Sequence, residues 1–376
     1  MKLPFKHGKV IETNHFVNRS KEIEYLQTNF SSKLNTILIS PRRWGKSSLV
    51  VKAAQGLAKK NKKVRVVHID LFNIRSEHEF YEIFTQKILK ATYTKWEERI
   101  EKSKTLFKQV IPKFSLGLDP ENDFSIGFNW DEIKKDASEI LNLPEVISKS
   151  KDVELIICLD EFQNIAHFKN PLAFQKKLRA HWQHHQEVSY CLYGSKRNMM
   201  TELFENKSMP FYKFGDIIFL KKIDNKHWVN YICKKFKQTD KEINKELASL
   251  LADTVSNHPY FVQQFANVVW RNTVKTCSEK IIAASINELV EQYDLLFQKE
   301  VDGLTNTQLE FLRALLDNVK QMSTKKTLAT YKMGTSANVI RVKSALVNKE
   351  VIDLFGGEIS FLDPLFKIWL KTVYFN

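Results

Sequence analysis

Glycine and proline are scarce in this 376-residue chain, at 11 and 9 residues, which argues against long low-complexity linkers. Cysteine is scarcer still. The four, Cys158, Cys191, Cys233 and Cys277, are scattered with no CxxC pair, and they read as buried free thiols of a protein kept in a reducing cytosol. No apolar run reaches membrane-spanning length, and the opening MKLPFKHGKV lacks the apolar core of a secretory signal. No membrane partner is therefore expected, and the cytoplasm is the expected location. No internal repeat is evident.

What the chain does have is enough apolar and aromatic content, 43% and 12%, to build sizeable cores. Its length suggests two or three domains. The net charge of +15 is uneven: residues 1–113 hold 24 Lys/Arg against 10 Asp/Glu, and residues 303–376 carry a surplus of only +4. The basic excess could meet a polyanion, or it could be a solvated lysine-rich face such as Lys59–Lys63.

Along the chain, Asn18 or Ser20 can cap an amphipathic helix bearing Ile23, Leu26 and Phe30. Thr36–Ile39 reads as a buried strand, Ser47–Lys59 as a helix, and KVRVVHIDLF as a second strand buried on both faces. Ser76 and Glu79 are spaced as a capping box for the next helix. Two short alternating strands, Phe114–Leu118 and Phe124–Phe128, suggest a hairpin inserted at about residues 112–130. The alternation then resumes with VELIICLDEF, a helix over about 170–187, and the strands VSYCLYGS and DIIFL. Strands alternating with helices imply a parallel, doubly wound sheet. The expected division is an α/β domain over 1–220, a helical domain over 221–301, and a last domain over 302–376.

The span Ser40-Pro41-Arg42-Arg43-Trp44-Gly45-Lys46-Ser47 lies between a buried strand and a helix. A loop there can wrap a polyphosphate in backbone N–H groups, with Lys46 reaching the β/γ-oxygens and the Ser47 hydroxyl offered to Mg²⁺. Ser40 stands where such a loop usually begins with glycine, and serine can serve if its φ stays negative. Downstream, ELIICLDEFQN ends a strand in Asp160-Glu161. A strand-end Asp can hold the metal of a nucleotide, and an adjacent Glu can polarise the attacking water. His181, His184 and His185 have helical spacing that can suit a metal, yet no acidic or cysteine partner lies near in sequence, so a surface cluster is the better reading.

With these residues in hand, the chain resembles the archaeal-type AAA ATPase family, a STAND-related branch of the AAA+ P-loop NTPases. FVNRSKEIEYL, SPRRWGKSSL, LDEFQ, YGSKRNMM, NHPYFVQQFA and FLDPLFKIW carry the resemblance, which covers nearly the whole chain. It implies a three-layer α/β/α parallel sheet, a helical lid and a C-terminal winged helix. It also implies binding of ATP or ADP and Mg²⁺-dependent hydrolysis.

Carried over position by position, Ser40 to Ser48 would cradle the phosphates, with Ser48 completing the span. Ser47 and Asp160 would hold Mg²⁺, Glu161 would activate water, and Ser195 would sit near the γ-phosphate. Phe16, Val17 and Arg19 would border the base, with Pro259 closing from the lid. Three positions depart from the family pattern: Ser40, Asn257, and Phe214 in place of an arginine. If that arginine normally reaches a phosphate, either hydrolysis here is slow or Lys213, Lys196 or Arg197 substitutes.

In the last domain, the third helix carries Asn338, Arg341 and Lys343, candidates to contact DNA in a major groove. The plainer role is contact with the ATPase core or a protein partner. The leading expectation is an ATP-dependent switch. The alternative is a DNA-binding regulator whose nucleotide fold is a scaffold of little or no turnover. The oligomeric state is not legible.

Overall fold

A computed structural model describes residues 3–8, 16–107, 112–115 and 125–376. The chain forms two units: Arg19–Lys221, and Met1–Asn18 together with Lys222–Asn376.

The first unit is built on a five-stranded, all-parallel sheet in the order β2-β5-β6-β1-β7. Its strands are β1 (Thr36–Ile39), β2 (Val64–Asp70), β5 (Glu154–Asp160), β6 (Val188–Gly194) and β7 (Asp216–Phe219). The central strands β1 and β6 are buried along their whole length, as their unbroken apolar sequences require in a sheet covered on both faces. One face packs the helices Glu77–Thr92, Ser138–Lys151 and Pro171–Trp182 into a core containing Ile37, Ile157, Phe80, Ile147, Phe174 and Trp182. The helix Lys46–Lys60 lies against β2 and β5 with Ser20–Ser31 packed on it. Because all strands are parallel, their C-terminal ends gather the loops after β1, β5 and β6 at one edge.

The inserted hairpin is present as β3 (Pro112–Ser115) paired antiparallel with β4 (Ser125–Phe128). The expected strands were Phe114–Leu118 and Phe124–Phe128, and the turn between them lies outside the described residues. Two local readings need correction. Neither Asn18 nor Ser20 caps the first helix: Asn18 and Arg19 both take left-handed φ, 54° and 76°, and Arg19 stands at the cap position, where its side chain makes no capping hydrogen bond. The helix expected over 170–187 ends at Trp182, so His184 and His185 sit in the following turn. His181 Nδ1, in the last turn of the helix, lies 3.0 Å from Asn142 Oδ1, and His185 Nδ1 lies 2.9 Å from the Tyr190 hydroxyl. Among the described residues no cluster of His, Cys, Asp and Glu could hold a metal. Of the expected Ser76 capping box only half forms: Glu79 N–H donates to Ser76 Oγ, while the Glu79 carboxylate accepts from Arg75 N–H instead of that of Ser76.

The second unit is helical up to a terminal hairpin. Five helices run from Asn225 to Asp302, then Asn306–Leu316, Lys325–Thr330 and Ser336–Asn348, followed by β8 (Ile352–Phe355) paired antiparallel with β9 (Glu358–Phe361). One continuous apolar core joins all of these. Phe5 from the start of the chain is 1% exposed within it, its ring 5.9 Å from that of Tyr231. Asp363 caps the last helix by accepting from Leu365 and Phe366 N–H. Of the four cysteines, all free, Cys233 is half-buried and the other three are buried. No helix among the described residues is long and apolar enough to cross a membrane.

Candidate active site

The loop from Ser40 to Lys46 leaves the C-terminal end of β1 and enters the helix Lys46–Lys60. Ser40 is fully buried, its hydroxyl donates to Pro41 O at 3.1 Å, and it is not among the residues with positive φ. Serine is therefore no obstacle at the loop's mouth. The turn is made instead by Arg43 and Gly45, with φ of 62° and 88°. A Cβ on Gly45 would meet nothing within 4 Å, so glycine is required there by backbone conformation alone. The helix that follows has no side-chain cap and no acidic residue in its first turn. Its N–H groups and dipole face the loop uncompensated, which suits an anion. Pro41 is buried, Trp44 half-buried, and Arg42 and Arg43 exposed, while Ser48 is buried within the helix.

β5 delivers Asp160 and Glu161 opposite this loop. Ser47 Oγ donates to Asp160 Oδ2 at 2.6 Å. Lys46 Nζ lies 2.8 Å from Glu161 Oε1 and 3.8 Å from Asp160 Oδ1. Glu161 has left-handed backbone, φ 51°, a conformation costing on the order of 1 kcal/mol for a residue with a side chain. That bend aims its carboxylate back at the loop and starts a 3₁₀ turn, Phe162–His167. Ser195, after β6, donates to Glu161 Oε2 from its hydroxyl at 2.7 Å and from its N–H at 3.3 Å.

The two carboxylates differ electrically. Burial raises the Asp160 pKa, and Lys46 and Ser47 only partly oppose it. Burial also works against the Glu161 carboxylate, but the charge and hydrogen bond of Lys46, with those of Gln163 and Ser195, outweigh it and hold Glu161 at about 2. Beside Ser47 and Asp160 opens a cavity of about 380 Å³, lined also by His68, Asp70, Lys87 and Tyr193. Two hard oxygen donors beside such a space, one hydroxyl and one carboxylate, fit a cation that draws its remaining ligands from water and phosphate, as Mg²⁺ does.

Lys46, Ser47, Asp160, Glu161 and Ser195 are thus brought together. The residues expected around a base divide between the units: Arg19 lies in the first, bonded to Glu22 at 2.8 Å. Phe16, Val17 and Pro259 lie in the second, with Pro259 opening the helix Pro259–Asn272. Phe214 is settled by topology. It precedes Asp216, which pairs with Thr36 at the start of β1, so it stands at the opposite end of the sheet from Ser40. An arginine there could not reach a phosphate held by this chain's own loop, and Lys213 is likewise misplaced. Lys196 and Arg197 follow Ser195 at the correct end, Arg197 buried. In the second unit, Arg341 is exposed, Lys343 half-buried, and the Asn338 amide donates to Met333 O at 2.9 Å.

Sequence reasoning missed Gln163, whose Nε2 donates to Glu161 Oε2 at 2.5 Å, and Gly194, against which Gln163 packs. Both stood in motifs already singled out, LDEFQ and YGSKR.

A family model described as an ATPase domain predominantly from Archaea matches residues 16–265. No curated protein matches the chain in sequence. Among solved structures, the Walker-type ATPase of Pyrococcus abyssi is similar at 16% identity and a TM-score of 0.67, covering 98% of this chain and 100% of its own. The Aeropyrum pernix ORC2 protein, solved in ADPNP–ADP complexes, is similar at 15% identity and a TM-score of 0.55, covering 96% and 94%.

Proposed function

The chain belongs to the family of ATPase domains found predominantly in Archaea, and from that premise we propose that this ATP hydrolase is a Mg²⁺-dependent nucleotide-state switch. The observation that carries the reading is the placement of Lys46, 2.8 Å from Glu161 Oε1 at the mouth of a helix whose N–H groups face outward.

In this state Glu161 is a poor base, because a carboxylate held at about 2 has little affinity for a proton of water. A polyphosphate in the Ser40–Ser47 loop offers Lys46 more negative charge than one carboxylate does. Lys46 then turns to the β/γ-oxygens, and Glu161 loses the cation that suppressed its basicity. The freed Oε1 can take a proton from the attacking water. Binding and activation of the base are in this way one event, and Glu161 stays quiet until substrate arrives. The Ser47 hydroxyl and the Asp160 carboxylate would hold Mg²⁺, which when bound neutralises charge on the phosphate oxygens.

The finer assignments travel with this reading. Phe16, Val17 and Arg19 border the base, residues 221–301 are a lid carrying Pro259, and residues 302–376 are a winged helix whose position reports the nucleotide state. The order of three helices and a hairpin after Thr305 supports the last of these. Of the three candidate DNA contacts, Arg341 alone is exposed, which favours a protein partner over groove readout.

Two variants test the proposal. Lys46→Ala is expected to weaken ATP binding at least about 100-fold, and unchanged affinity would remove the site. Glu161→Gln is expected to retain bound ATP while phosphate release falls about 100-fold or more. Undiminished release would reject Glu161 as the base.

A further inference from the structure

We infer that Gln163 is a positioning residue for Glu161: with the bare backbone of Gly194 it fixes one carboxylate oxygen so that only the other changes partners during turnover. The inference rests on the role proposed for Glu161.

The two oxygens of Glu161 are held very differently. Oε1 receives Lys46 Nζ alone, at 2.8 Å. Oε2 receives three donors: Gln163 Nε2 at 2.5 Å, Ser195 Oγ at 2.7 Å and Ser195 N–H at 3.3 Å. When Lys46 leaves for a phosphate, Oε1 is freed and Oε2 is not. A carboxylate torsion is soft and roughly two-fold, so without an anchor the freed group would turn. Gln163 comes from the 3₁₀ turn and Ser195 from the end of β6, so the anchor spans two separate elements.

Gln163 is built for one direction only. It is 1% exposed, and its Oε1 is buried with no hydrogen-bond partner. A buried amide carbonyl left unpaired is costly, so this side chain is kept for its donor end. Its Oε1 lies 1.9 Å from where a Cβ on Gly194 would stand, and Met200 Sδ lies 2.7 Å from that same point. Gly194 has no positive φ. Its missing side chain is therefore a matter of space, and the space belongs to the Gln163 amide. The reversal that lets residue 163 bond residue 161 is the left-handed backbone of Glu161 itself.

The test compares phosphate release, ATP affinity and Tm in Gln163→Met and Gly194→Ala. Methionine keeps the length of glutamine and removes the donor. Alanine at 194 leaves the glutamine intact but takes its place. Both are expected to lower kcat about 10-fold with ATP affinity changed less than about 2-fold. Unchanged kcat in both variants would overturn the proposal. So would a fall in kcat that only tracks weaker binding or a lower Tm. If Gln163→Met does not fold, Gly194→Ala decides, and failure of both to fold would assign the pair a structural role and count against the proposal. Glu161→Gln is run alongside: if that variant still turns over, it is the reading of Glu161 that has failed.

Discussion

The two ends of the five-stranded sheet are both polar, yet they are wired for opposite purposes. At the C-terminal end, Lys46 and Ser47 are bonded to carboxylates by side chains alone, and in the mechanism proposed above Lys46 leaves Glu161 for a phosphate. At the N-terminal end the polar groups have permanent partners. Glu145 Oε2 accepts from the N–H groups of Gln186 and Glu187 at 3.1 and 3.0 Å, and Asn35 Oδ1 accepts from Tyr190 N–H at 3.0 Å. Asp216 Oδ2 accepts from Tyr25 and Asn29, both at 3.1 Å. Backbone N–H groups cannot leave, whereas a lysine side chain can. The difference teaches that hydrogen-bond number does not mark a functional site; what marks it is whether a competing ligand could take the donors.

That contrast can be broken from either end. The largest effect is expected from Asp160→Asn, which should cut turnover about 100-fold without lowering Tm, because burial already penalises the Asp160 charge. A fall in Tm would place Asp160 with the structural end. Glu145→Ala should do the reverse, costing about 3 kcal/mol through two charge-assisted bonds to backbone and leaving ATP affinity unchanged; urea unfolding with a nucleotide titration checks both.

A smaller effect should appear with pH. Burial lowers His185 to about 4, with His181 and His184 acting in the same sense, Glu145 opposing and Lys149 adding to it. Its folded pKa lies below the ordinary 6.5, so the folded state resists protonation. The stability contributed by neutral His185 is complete above pH 6.5 and is lost as pH falls toward 4. The loss is on the order of 1–2 kcal/mol after allowance for partial exposure, and denaturant melts of His185→Gln should lack that slope. Smallest is Arg179→Gln. The Arg179 guanidinium lies 4.9 Å from the Phe214 ring centroid, and its loss should cost about 0.5–1 kcal/mol with kcat untouched. A drop in kcat would mean that the two ends communicate.

Much of the nucleotide end could be read before folding. A loop between a buried strand and a helix has a short local grammar, so Gly45, Lys46 and Ser47 could be placed by spacing, and Asp160-Glu161 by the end of an apolar strand. Ser40 was rightly tolerated because only φ mattered there. Gln163 could not be read, because its bond to Glu161 depends on a left-handed residue that no periodicity encodes. The same blindness produced the wrong cap at Arg19. The place of Phe214 was not legible for a different reason: distance along a sheet appears only once strand register is known. Nor does any sequence pattern tell that Phe5 packs with residues beyond 222.

That last contact has a consequence for biosynthesis. The nucleotide-binding unit interrupts the other in sequence, since Met1–Asn18 joins Lys222–Asn376. As the polypeptide emerges from a ribosome, residues 19–221 can finish their own core first. Phe5, 1% exposed in the finished molecule, has to wait more than two hundred residues for Tyr231 and Phe236 to be made. The segment around Phe5 can therefore be ordered only after the core of the other unit has been made, so the two units complete their folding in a fixed sequence.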